Sequence, residues 1–87
     1  MGIFLETTGP TLDDLARALA AGDRDDARFA AHSIVGAART AGAHRLAGVA
    51  ASVEADITAG ELIAAHRRLA EVEAAFRDVD TVIRTAL

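Results

Sequence analysis

Ala31-His32-Ser33-Ile34-Val35-Gly36-Ala37-Ala38 sets the phase of one amphipathic helix. At 100° per residue, Ile34 falls about 160° from His32 around a helix. Ala27, Ala30, Ala31, Ile34, Ala37, Ala38 and Ala41 then form one apolar stripe, which predicts a helix with that face against a core. His32 points the other way. Arg28, Phe29, Val35, Gly36 and Arg39 are read as its neighbours on the exposed face. Gly36 is the unusual choice. Glycine inside a helix costs roughly 1 kcal/mol against alanine, and this chain uses alanine almost everywhere else. A bare backbone one turn from the imidazole lets another molecule come close to it. Taken alone, the pattern also fits ordinary roles: a solvated surface histidine and a close helix contact. Phe29 either stays on the exposed face or folds back between the first two helices, and the sequence leaves both open.

The flanking residues bound this helix. Asp23 fits an N-cap, and Asp25 and Asp26 suit the positive end of the helix dipole. Gly42 fits the position just past the last turn. The spacing therefore predicts a helix over 24–41. Before it, Phe4, Thr8, Leu12, Leu15 and Leu19 follow helical spacing through Pro10. This predicts a nearly continuous helix over 3–21, kinked at Gly9-Pro10 and stopped at Gly22. Met1-Gly2 reads as a start plus a cloning scar, or as a free N-terminus. After it, Leu46, Val49, Ala50, Val53 and Ile57 mark a third helix over 43–57. Thr58-Ala59-Gly60 is a short break. Leu62, Ala65, Leu69, Val72, Phe76, Val79 and Ile83 alternate by threes and fours, predicting a long last helix over 61–86. Four helices joined by short loops read as an all-α, antiparallel up-down-up-down four-helix bundle, one domain over 1–87.

Composition agrees. The 87 residues are 52% hydrophobic but only 3% aromatic, with one proline. Alanine supplies much of the apolar content, so the helices should pack closely. There is no cysteine, which excludes disulfides and thiolate metal sites and is compatible with a cytoplasmic setting. No apolar run approaches the roughly 20 residues needed to span a bilayer, so no direct membrane insertion is expected. No signal-peptide pattern stands at the start. Net charge is −4, and no Lys/Arg stripe with interleaved aromatics suggests nucleic-acid binding. Metal-binding bundles use Glu-x-x-His pairs. Here Phe29, Ala41 and Ile63 stand three residues before His32, His44 and His66, so no metal site is expected. His44 is read as solvated and His66 as packed or partly exposed. No general acid–base pair or nucleophilic triad is recognisable.

The quoted stretch continues with Thr40-Ala41-Gly42-Ala43, Arg45-Leu46 and Val53-Glu54. Together these resemble the histidine phosphotransfer (HPt) module, whose pattern runs A-H-x-L-K-G-S/A-A, then L-G-A, L and L-E. The likeness covers 23–57 and is closest to the module at the C-terminal end of hybrid sensor kinases. It implies that His32 accepts a phosphoryl group from one receiver-domain aspartate and passes it to another. The partners implied are receiver domains of response regulators or of a parent hybrid kinase. The cofactor implied is Mg²⁺ on the receiver, with none on this chain. Phe29, Val35 and Gly36 would dock the partner. The family usually has lysine where this chain has Val35, so the neutralising charge would come from Arg39, with Arg28 as second choice. Seen down the axis, both lie within about 40° of His32. Imidazole suits the task, because its ordinary pKa of about 6.5 leaves a neutral nucleophile near pH 7. The resemblance implies a monomeric, cytoplasmic carrier with no independent catalytic activity, freestanding or cut from a membrane-tethered kinase. A helical module that only docks or dimerises, with His32 incidental, is the rival reading.

Overall fold

A computed structural model describes residues 2–86, with side chains from Phe4 onward except those of Leu5, Ile83, Arg84 and Ala86. Four helices follow one another: α1 (Gly2–Ala21), α2 (Arg24–Ala41), α3 (His44–Thr58) and α4 (Leu62–Ala86). No strand occurs among the described residues. Consecutive helices run antiparallel, and α2 packs against both α1 and α3, α3 against α4, with a smaller α1–α4 contact closing the ring. The bundle measures 40 × 19 × 18 Å.

The caps explain the boundaries. Asp23 accepts a side-chain hydrogen bond from the Asp26 backbone N–H at 3.1 Å, satisfying one of the donors that a helix start leaves without a partner. Gly42 ends α2 in the left-handed conformation, φ 76°, and its N–H is bonded back into the last turn. A side chain there would be strained, which is why glycine closes the helix. α1 stays helical through Pro10. Pro10 and Glu6 are both exposed, so water can reach the Glu6 carbonyl that proline leaves without its intrahelical donor. One cap was not legible beforehand. Arg24, the first residue of α2, reaches across to α3, where its Nε donates to Ile57 O at 3.1 Å and its Nη2 to Thr58 O at 2.6 Å. A cation thus meets the negative end of α3.

Leu15, Ile34, Leu46, Val53, Ile57 and Val72 are the largest fully buried side chains. Around them Ala27, Ala30, Ala31 and Ala38 of α2 are buried. Small side chains on α2 let both neighbouring helices approach closely. Phe4 of α1 meets Phe76 of α4, rings tilted with centroids 6.4 Å apart, which supports the α1–α4 contact. Within this core the buried Thr8 has an Oγ1 with no hydrogen-bond partner, a cost of about 1–3 kcal/mol. Val49, expected in the α3 stripe, is only half-buried, and the side chain of Ile83 lies outside the described residues. None of the described helices is long and apolar enough to cross a membrane.

Candidate functional site

His32 stands at mid-α2 with its side chain 75% exposed. Ile34, two residues on, is 1% exposed. The phase read from the apolar stripe therefore holds. Its ring is not left loose, however. Nδ1 lies 2.9 Å from Oε2 of Glu54 on α3. An ionised carboxylate has no hydrogen to give, so Nδ1 carries the hydrogen and donates it. That leaves the Nε2 lone pair of the exposed ring with no partner among the described residues. The antiparallel α2–α3 contact makes this pair, since Glu54 is 22 residues further along the chain. Local spacing gives Glu54 no role. Only helix packing brings it to His32.

Arg28, Phe29, Asp25 and Glu54 line an open recess with His32. The Arg28 guanidinium makes no ion pair or hydrogen bond among the described residues. Arg39 is exposed in the last turn of α2, where a cation favours the helix dipole, and it does not line the recess. Phe29 is 76% exposed, so it stays on the His32 face instead of folding into the core. It forms the shared rim of that recess and of a groove against α1.

Val35 is a correction. The apolar stripe predicts an exposed docking residue beside His32, yet Val35 is 3% exposed and belongs to the core. The reason is geometric. α2 has neighbours on two sides, so its buried arc is wider than a stripe centred on Ile34 alone. Val35 sits about 100° from Ile34, on the same side as Arg24 and His32, which both contact α3. Its side chain therefore packs toward α3 and is closed to a partner.

Gly36 is exposed, and a Cβ built there would meet nothing within 4 Å. The bundle itself does not require glycine at this position. Gly48 on α3 is equally open, so openness alone does not mark Gly36. Its place one turn from His32 does. His44 and His66 are both exposed and away from this recess. Among the described residues no three His, Asp or Glu side chains gather as a metal ion would need.

Mid-helix, α2 thus presents one exposed imidazole whose Nδ1 is held by a carboxylate, with a cation in the same recess and a bare backbone one turn on. Comparison with curated proteins and with solved structures gave no significant match. The family model described as Hpt domain matches residues 1–82, nearly all of the chain and the whole of the His32 site, so this chain belongs to the Hpt domain family.

Proposed function

We propose that the chain is a phosphorelay carrier in which His32 is the phosphoacceptor, taking a phosphoryl group from one receiver aspartate and delivering it to another. The observation that carries this reading is the His32–Glu54 hydrogen bond on an otherwise exposed ring. Family membership supports histidine phosphotransfer and receiver partners in general. In the forward step the Nε2 lone pair attacks phosphorus in line with the receiver's acyl phosphate. The N–P bond forms as the P–O bond to the aspartate breaks, and the electron pair leaves on the carboxylate. The ring, still holding its Nδ1 hydrogen, becomes cationic and faces the Glu54 carboxylate. Delivery reverses these steps, and the imidazole departs neutral. Such transfer needs positioning and charge neutralisation more than covalent chemistry from the protein. In this reading Mg²⁺ belongs to the receiver.

The test is single-turnover transfer from a receiver carrying radiolabelled aspartyl phosphate. Label should move to this chain within minutes. A receiver panel that docks but never transfers label would favour the rival docking-only reading.

Two substitutions probe the surroundings. A Cβ at Gly36 meets nothing within 4 Å, so Gly36→Gln should stabilise the helix by roughly 0.5–1 kcal/mol. It should also slow transfer by about tenfold or more, because a side chain there keeps the receiver from the ring. A wild-type rate would refute the close-approach argument. Arg28 is the cation that shares the recess with His32, and Arg39 stands two turns along, roughly 10 Å away. An exposed charge pair is worth about 1 kcal/mol or less, so Arg28→Ala should cost a few-fold in transfer rate. Arg39→Ala should cost less than that. Equal, silent results in both variants would assign all neutralisation to the receiver.

A further inference from the structure

We propose that the docking face around His32 selects receivers whose apposed surface is basic and holds an apolar socket for Phe29. This rests on the carrier reading above and goes beyond it, by giving the chemistry of the partner.

Phe29 projects from α2, 76% exposed, one turn before His32. On its α1 side lies a groove with Asp14, Asp23 and Asp26 along it. On its α3 side lies the His32 recess with Asp25 and Glu54. Five carboxylates thus surround Phe29 and His32, against two guanidiniums, Arg17 and Arg28. Arg17 is already paired with Asp14. The Asp26 carboxyl is held above its ordinary range, chiefly by hydrogen bonding to the Asp23 side chain, then by the charge of Asp23, with lesser contributions from desolvation, Asp25 and Asp14. A phosphoryl group on His32 would add further negative charge to the same face.

An exposed aromatic with a mainly acidic surround is the form of a docking anchor with a polar rim. The rim sets which partner approaches. Like charges facing each other across an interface are costly, and opposite charges steer encounter. A second copy of this chain, itself at −4, would oppose carboxylate to carboxylate here, as would an acidic-faced receiver. A receiver with Lys or Arg around its phosphorylated aspartate would neutralise both the rim and the transferring phosphoryl group. Its apolar socket would take the Phe29 ring out of water.

The experiment uses two phosphorylated receivers, one with Lys/Arg flanking its phosphorylated aspartate and one with Asp/Glu there. Transfer to wild type, Asp25→Asn/Asp26→Asn and Phe29→Ala is followed at low and high salt, with melting curves confirming that each variant folds. The basic-faced receiver should transfer with about tenfold or greater kcat/KM over the acidic-faced one at low salt. High salt should shrink that advantage several-fold, because exposed charges are screened. The double variant should raise KM several-fold for the basic-faced receiver and leave the rate at saturation unchanged. Phe29→Ala should lose about tenfold at both salts. Equal transfer from both receivers, no salt dependence, or an unaffected Phe29→Ala variant would overturn the proposal while the carrier reading stands. If neither receiver labels His32 even at saturation, the carrier reading itself has failed, and this proposal with it.

Discussion

His32→Gln should abolish phosphoryl acceptance and leave the bundle's stability almost unchanged. The side chain is 75% exposed and makes a hydrogen bond to Glu54. Glutamine keeps a donor that can reach that carboxylate, and substitutions at such exposed sites usually shift stability by no more than about 0.5 kcal/mol. For a domain of this size that is roughly 2–4 °C in melting temperature. Chemistry is affected far more. An amide nitrogen is not nucleophilic, so no phosphoramidate can form. Transfer should fall below detection in the same assay that labels wild type. His44 and His66 are exposed elsewhere, outside the recess with its fixed tautomer, and should not replace His32. A His32→Gln protein that still accepts label at a wild-type rate would move the site to another residue.

Ile34→Asp should have the opposite effect, destroying the fold and leaving no site to assay. Ile34 is 1% exposed, among the largest fully buried side chains of the core. Its neighbours on the stripe are alanines, and among the described residues no charged side chain is buried in the core. Burying an unpaired carboxylate costs several kcal/mol, against roughly 4–13 kcal/mol expected for a chain of this length. The far-ultraviolet circular dichroism signal should weaken and the cooperative melt disappear. Ile34→Val is the matched control and should cost only about 0.5–1.5 kcal/mol. A cooperative melt for Ile34→Asp within about 5 °C of wild type, a shift worth only about 1 kcal/mol, would mean that α2 does not pack as described.

The legibility of these features varied for physical reasons. The bounds of α2 were readable because both ends carry local signals, Asp23 at the start and Gly42 at the stop, and both act as caps in the structure. α3 starts at His44, one residue later than the spacing predicts. Ala43 caps it without a side-chain bond, so no residue type marks the boundary. α4 likewise begins at Leu62 and not at 61. The exposure of His32 followed from phase alone. Val35 did not, because a single-direction stripe cannot show that α2 has two packed neighbours. Phe29 stayed ambiguous for the same reason: its position, about 140° from Ile34, lies at the border between the α1 groove and solvent. Glu54 and Arg24 act across the α2–α3 contact. Neither interaction has a trace in local spacing, since each joins residues more than twenty positions apart. Arg28 and Arg39 looked alike as residues on one helix face. Their surroundings separate them: Arg28 shares the His32 recess, and Arg39 stands at the end of the helix.

The central claim is that His32 accepts phosphate on Nε2 while Glu54 keeps the hydrogen on Nδ1. Nuclear magnetic resonance on ¹⁵N-labelled protein, loaded from a phosphorylated receiver, tests it directly. Phosphorus should couple to Nε2 of His32, with Nδ1 still protonated and the phosphate acid-labile and base-stable. Phosphorus bound to Nδ1 of His32, to His44 or to His66, or no phosphohistidine at all, would contradict the account.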